Sequence, residues 1–148
     1  MATPPICVTR SCDFAIGHRV IPFGDDPVRA VQCGHLHGHS MRARFSLTHD
    51  RQEQRPHVDF DAAHEALMRW LSAEWNGRFL IARGDPWMVP LHDLDAGGVV
   101  ALPFAPSVEN LALHLLLVVA PRLLTGSGVR LVACTLQQAR GRKVRAYL

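Results

Sequence analysis

Alternation between apolar and polar residues marks the clearest predicted strand, residues 40–49. A period of two indicates a strand with one buried face. The apolar positions of this strand are Met41, Ala43, Phe45 and Leu47. An earlier strand is predicted over residues 6–18, and residues 22–32, rich in proline, glycine and aspartate, are predicted to form a loop. The first third of the chain therefore predicts two neighbouring strands joined by a loop.

Two helices are predicted further along the chain. Residues 60–75 carry apolar side chains at helical spacing, and Asp59 or Asp61 is suited to cap the N-terminus. A second helix is predicted to begin after Ser107, its N-cap, and to run to about residue 124. This helix is apolar on most sides, which predicts burial against a sheet or another subunit.

The remaining segments complete the predicted fold class. Residues 77–106 lack a regular period and are predicted to form a long loop with a short strand near 99–102. Two last strands are predicted at 129–136 and 144–148. The order strand, strand, helix, helix, strand, strand indicates an α+β fold with an antiparallel sheet and both helices on one face. The length suits a single domain, residues 1–148.

Composition and charge narrow the functional classes. The formal net charge of +3 comes from dispersed arginines, which argues against nucleic acid or a membrane surface as partner. No apolar run reaches the ~20 residues of a membrane span, and the N-terminus lacks the pattern of a signal peptide. The cysteines form no C-x-x-C pair, which favours reduced thiols in the cytoplasm. They are Cys7, Cys12, Cys33 and Cys134.

Residues 33–39, Cys-Gly-His-Leu-His-Gly-His, carry the densest candidate chemistry. His37 and His39 lie two apart at the start of a strand, so both project from its buried face. His18 has the buried parity on the earlier strand, so three imidazoles can converge there. Three nitrogen ligands with one open position form a catalytic type of zinc site. His35 competes as third ligand, and a surface H-x-H without metal is the alternative.

The chain resembles the 6-pyruvoyl and 6-carboxy tetrahydropterin synthase family over most of its length. The matching segments are Phe-Ala-Ile-Gly-His at 14–18, Cys33, His-Gly-His at 37–39, Val-Asp-Phe at 58–60 and Pro-Ser-Val-Glu-Asn at 106–110. The resemblance implies a tunnelling fold (ββααββ) whose subunits form a homo-oligomeric ring or barrel with active sites at the interfaces. It also implies a pterin-like small-molecule ligand and Zn2+ held by His18, His37 and His39.

The same resemblance suggests roles for three further residues. Cys33 matches the catalytic cysteine of the family, and a thiol beside a metal-bound substrate can abstract a proton from carbon. The family's ligand-anchoring Glu-Thr pair falls on Cys134 and Thr135. These two and Glu109 are the predicted substrate contacts, although Glu109 also suits the first turn of a helix. A thiol is a poor substitute for a carboxylate that accepts two N–H bonds.

A second departure concerns proton transfer. The family's Asp-His pair falls on Asn76 and Gly77, and glycine cannot move a proton. His92 and Asp93 are candidate replacements, with a solvated loop as the alternative. The sequence therefore predicts a diverged carbon–oxygen lyase with Cys33 as base. A non-catalytic zinc-binding homologue with an altered ligand pocket is the alternative, and a metal-dependent hydrolase or deaminase ranks last.

Overall fold

The two strands predicted first form the centre of the sheet. The computed structural model describes residues 6–21, 27–49 and 58–148. Strands β1 (Val8–His18) and β2 (His37–His49) pair antiparallel over the full length of β1. The alternation is confirmed, because the predicted apolar positions of β2 are buried and most of the polar positions between them are not. The buried side chains define the face of the sheet that packs against helices.

The sheet is mixed, so the prediction of an antiparallel sheet is wrong in part. Strands β5 (Val129–Gln138) and β6 (Lys143–Tyr147) extend it antiparallel beyond β2. Strands β3 (Arg78–Ala82) and β4 (Val99–Leu102) extend it on the other side and run parallel to β1. Across the described ranges the order is β4-β3-β1-β2-β5-β6. β3 lies inside the predicted loop. The sequence did not predict this strand because its short apolar run does not alternate with polar residues.

The two predicted helices are present, with the predicted caps. In α2 (Phe60–Glu74), the Asp59 carboxylate accepts the backbone N–H of Ala62 at 2.8 Å. Ser107 caps the second helix by accepting the N–H of Asn110 at 3.3 Å. This helix consists of α4 (Val108–His114), a π-helical turn (Leu115–Val119) and α5 (Ala120–Leu123). Apolar side chains of both helices pack on the sheet and form the core.

Two short helices replace predicted loop. α1 (Pro27–Gly34) lies in the segment between β1 and β2, of which residues 22–26 are outside the described part. α3 (Met88–Leu94) lies between β3 and β4. Neither helix shows a buried apolar stripe among its described side chains, since Val28 and Val31 are exposed and no residue of α3 is buried. Without such a stripe, hydrophobic periodicity cannot reveal a helix of two turns.

A glycine sets the packing beside the end of β1. Gly17 lies between Gly38 of β2 and Phe79 of β3 in the sheet register. A Cβ atom at Gly17 would lie 2.5 Å from the Phe79 ring, far inside van der Waals contact. The absence of a side chain therefore lets β3 approach β1 next to His18. No helix in the described ranges is long and apolar enough to cross a membrane.

Candidate metal centre

Three histidines from two paired strands meet at one end of the sheet. His18, the last residue of β1, is the register partner of His37, the first residue of β2, and His39 follows two residues later. The ring centroids are 4.5 Å apart for His18–His37, 5.0 Å for His18–His39 and 4.9 Å for His37–His39. One potential ligand atom of each ring lies within 4.8 Å of the other two. The cluster could therefore hold a metal ion.

Backbone carbonyls orient two of the three rings. Nδ1–H of His18 donates to the Pro106 carbonyl at 2.8 Å, and Nδ1–H of His37 donates to the His35 carbonyl at 2.8 Å. A carbonyl can only accept, so each Nδ1 carries the proton and the lone pair lies on Nε2. Hydrogen bonding through the second ring nitrogen is the usual outer arrangement of metal-binding histidines. Both Nε2 atoms are thus prepared as ligands.

Burial favours the neutral form of two of the three histidines, His18 and His39. The side chain of His18 is only 3% exposed, and burial lowers its pKa from 6.5 to about 4. The hydrogen bond to Pro106 opposes this effect, while His37 and His39 add to it. Burial and the neighbouring His37 also lower the pKa of His39. Neutral imidazoles near pH 7 are what a divalent cation requires of its ligands.

The other candidate histidines lie elsewhere. His35, the competing third ligand, is exposed in the bend before β2, and the structure places His18 rather than His35 beside the other two. What His35 contributes is the carbonyl that holds His37. His92 and Asp93 are exposed on α3. Their proposed service as replacement acid–base groups stays a prediction.

Cys33 lies at the C-terminal end of α1, one residue beyond the predicted loop, and its side chain is half-buried. Its carbonyl accepts the backbone N–H of Val20 at 2.8 Å. This bond ties the end of α1 to the chain two residues beyond His18. The thiol is not part of the three-residue ligand group. A position beside the cluster rather than within it is compatible with a base, and that role stays a prediction.

Asn76 and Gly77 have structural roles where the family has its acid–base pair. The side-chain Oδ1 of Asn76 accepts the N–H of Ala15 at 2.9 Å, and the N–H of Gly77 donates to the Ala15 carbonyl at 2.8 Å. Gly77 has a φ of 74°, the left-handed conformation that commonly ends helices and that glycine adopts without strain. This turn therefore links α2 to β1 and offers no group that exchanges a proton.

The predicted substrate contacts lie in three different environments. The Glu109 carboxylate, in the first turn of α4, forms an ion pair with Arg142 of the β5–β6 turn. Cys134 is fully buried in the core, and burial raises the pKa of its thiol to about 12. Thr135 projects from the opposite face of β5, because successive strand residues alternate. Contact of these residues with a substrate stays a prediction, and Cys134 and Thr135 cannot line one face together.

Sequence reasoning missed the groups that support His18. One is the Pro106 carbonyl, for which no sequence signal exists, since every residue carries a carbonyl. The other is a shielded ion pair, in which Nε of Arg19 lies 3.4 Å from Oδ2 of Asp85. The Arg19 guanidinium also lies over the Trp87 ring, 4.8 Å from its centroid. Together these contacts anchor the chain that leaves the end of β1.

Fold and site define an α+β protein with a candidate metal centre of three histidines. A sequence model described as 6-pyruvoyl tetrahydropterin synthase matches residues 7–146. The chain therefore belongs to the 6-pyruvoyl tetrahydropterin synthase family, as the sequence motifs had indicated. No curated protein sequence matches the chain.

Solved structures agree on the fold. An uncharacterized protein from Wolinella succinogenes superposes with a TM-score of 0.78 at 22% identity, covering 98% of this chain and 99% of that one. The 6-pyruvoyl tetrahydropterin synthase of Caenorhabditis elegans gives 0.64 at 14% identity, with 100% and 99% coverage. A Plasmodium vivax 6-pyruvoyltetrahydropterin synthase carrying a catalytic-residue mutation gives 0.66 at 15% identity, with 99% of each chain covered. At these identities the likeness concerns the fold alone.

The depressed pKa of His18 predicts that the metal-free protein loses stability in mild acid. Between pH 6.5 and about 4 the unfolded chain binds a proton at His18 that the folded chain does not, so unfolding becomes easier as the pH falls. The contribution is at most about 3 kcal/mol. Urea denaturation with chelator present measures the free energy of unfolding at pH 7 and at pH 4.5. Between these two pH values, the free energy of unfolding should fall less for His18→Gln than for the parent protein. Equal losses in the two proteins would contradict this account.

Proposed function

We propose that this chain is a zinc-dependent, diverged member of its family that performs carbon–oxygen lyase chemistry on a dihydropterin-like small molecule. The observation that carries the proposal is the group of three imidazoles whose potential ligand atoms lie within 4.8 Å of one another. Membership of the family supports the class of ligand. The names of the C. elegans and Plasmodium structures point to the same chemistry.

The donor set fits Zn2+. Zinc sites of the catalytic type take three protein ligands and keep one position open, and neutral imidazole is a favoured ligand. His18 and His37 present Nε2 because their Nδ1–H groups are held by carbonyls. His39 completes the set from the same face of β2. A bound zinc ion would act as a Lewis acid toward an oxygen of the substrate.

In the proposed reaction, the Cys33 thiolate takes up a proton from a side-chain carbon of the substrate, and the electron pair left on that carbon expels the oxygen substituent of the neighbouring carbon. The bond from Val20 to the Cys33 carbonyl holds the end of α1 against the chain that follows His18, so the cysteine stays beside the cluster. Glu109, in the first turn of α4, would orient the ligand, either with its ion pair to Arg142 broken or with that ion pair intact. Proton return requires a group other than Asn76 and Gly77.

A second candidate function has its own supporting observation. The side chain of Asn76 is engaged with the backbone of Ala15, and Gly77 ends a helix, so the two positions that the resemblance assigns to the acid–base pair form a structural turn. A non-catalytic homologue would keep the zinc cluster and bind a changed ligand. Under this alternative, Cys33 would serve packing alone.

The sheet edges support assembly into a ring. Among the described residues, β3 pairs with β1 only over the last three residues of β1, so the outer edge of β1 from Val8 to Phe14 has no neighbouring strand. β6, next to β5, and β4, next to β3, are the end strands of the sheet. Open edges attract further strands. We propose that β6 of one subunit pairs with β1 of the next, so that a head-to-tail interface closes a barrel.

The state of the cysteines supports a cytoplasmic location for this assembly. All four cysteines are free thiols. Reduced thiols are characteristic of compartments in which disulfides do not persist. The proposed partners are a pterin-like small molecule and further copies of the same chain.

Zinc binding should depend on the cluster and not on its histidine-rich neighbourhood. His37→Ala removes one of three ligands and should weaken zinc affinity by more than about 100-fold, since loss of an outer partner alone costs 10- to 100-fold. His35→Ala is the matched control, because it keeps the backbone carbonyl that holds His37. Competition with a chromophoric chelator measures both affinities. A similar loss in the two variants would contradict the assignment of the ligands.

Catalysis can be tested with 7,8-dihydroneopterin triphosphate and zinc-loaded protein, with products identified by liquid chromatography and mass spectrometry. Cys33→Ala should lower turnover by about 10²- to 10⁴-fold, the usual contribution of a positioned base. Cys7→Ala, at an exposed thiol, should leave turnover unchanged. Unchanged substrate with the parent protein would rule out this reaction. Pterin binding that survives Cys33→Ala would then favour the non-catalytic alternative.

Assembly should fail when the outer edge of β1 loses a backbone donor. The N–H and C=O of Ala15 point away from β2, and the alternation of an antiparallel strand gives Ser11 the same direction. Ser11→Pro removes an outward N–H and should reduce the molar mass in multi-angle light scattering from oligomer to monomer. Ser11→Ala keeps the N–H and should keep the oligomer. A parent protein that is monomeric would refute the proposed ring.

A further inference from the structure

The face of the sheet turned away from the helices, called here the open face, carries an excess of cations. The strand register lines up two rows of side chains that cross β1, β2, β5 and β6. The first row is Asp13, Arg42, Gln137 and Lys143, and the second is Ser11, Arg44, Thr135 and Arg145. These rows hold four cations and a single carboxylate. The dispersed charge of the sequence thus becomes concentrated on one surface by strand pairing.

The cations of the open face differ in how far they are neutralised. Arg42 donates two hydrogen bonds to Asp13, from Nε at 2.7 Å and from Nη2 at 2.9 Å. The Arg42–Asp13 ion pair therefore carries no net charge. Arg44 is half-buried, and its Nη1 donates to the neutral amide of Gln137 at 3.0 Å. The Gln137 amide fixes the guanidinium without cancelling its charge.

A cavity lies at these residues. Its volume is about 680 Å³, within the range of about 300–1,000 Å³ that small-molecule sites occupy. Both arginines and Asp13 line it, together with Ser40, Gln137 and Asn76. Guanidinium, amide and hydroxyl groups are donors to oxygen. A donor-rich cavity with one uncompensated guanidinium is suited to an oxyanion.

We propose that the cavity on the open face is a second ligand site, which binds a small acid through a carboxylate or phosphate group held by Arg44. The planar guanidinium matches the geometry of either oxyanion. The Ser40 hydroxyl and the side-chain amides of the lining would bind the remaining polar groups of the ligand. If a ligand hydroxyl displaces Arg42, Asp13 accepts a hydrogen bond from that hydroxyl. The cavity is too small for a folded partner.

This second site is separate from the metal centre. Ser40 lies between His39 and Met41 in β2, and successive strand residues point to opposite faces. The imidazoles therefore lie on the helix-covered face and the arginines on the other. The proposed second site consequently does not rest on zinc or on lyase activity. This proposal and the proposed function can therefore fail independently.

Isothermal titration calorimetry with inorganic pyrophosphate, and separately with malonate, tests the site at constant ionic strength. Arg44→Gln should weaken binding by at least tenfold. Arg69→Gln makes the same change in charge at an exposed arginine of α2 paired with Glu65, and should alter binding less than twofold. Asp13→Asn should tighten binding severalfold, since it frees Arg42 from its only carboxylate partner in the described residues.

The two probes and one further variant make the outcome decisive. Binding of pyrophosphate alone assigns a phosphate ligand, and binding of malonate alone assigns a carboxylate. His37→Ala should leave the titration unchanged, because the metal centre lies across the sheet. Absence of heat with both probes would overturn the proposal. So would loss of binding in His37→Ala, equal weakening by Arg69→Gln, or weakening by Asp13→Asn.

Discussion

The antiparallel register of β1 and β2 is the constraint on which the site depends. Eleven pairs run from Val8↔Leu47 to His18↔His37, and the alternating apolar side chains of both strands are buried under the helices. A slip by one residue would turn every buried side chain to the other face. The energy that holds Phe45 and its neighbours in the core therefore also holds the imidazoles opposite one another. Ligand geometry at this end of the sheet is a by-product of core packing.

The candidate metal ligands and the residues expected to form the acid–base pair differ in what they contact. The cluster keeps three imidazoles, two of them oriented by backbone carbonyls that no substitution can remove. At the turn after α2, by contrast, Asn76 and Gly77 give their polar groups to Ala15. Glu109 is likewise engaged, in an ion pair with Arg142. The three candidate ligands are thus present, while the groups around them serve structure or are occupied by charge partners.

The two faces of the sheet have separate chemistry because strand residues alternate. The helix-covered face excludes water, which keeps His18 neutral and raises the pKa of the Cys134 thiol. The open face keeps its arginines in contact with solvent, where each charge costs little. Cross-strand pairing then collects the cations that lie far apart in the chain. One sheet can in this way carry a candidate metal centre and a cationic cavity on neighbouring residues of the sequence.

The sequence by itself determined the elements with strong local signals: the alternation of β2, the caps at Asp59 and Ser107, and the parity that brings His18 to His37 and His39. Only the tertiary structure decided the rest. β3 pairs parallel to β1 through contacts between segments distant in the sequence. α1 and α3 show no buried apolar stripe among their described side chains from which they could be predicted. The support of His18 by the Pro106 carbonyl spans 88 residues. Periodicity reports which face of a segment is buried, whereas partners are chosen only when the chain has folded.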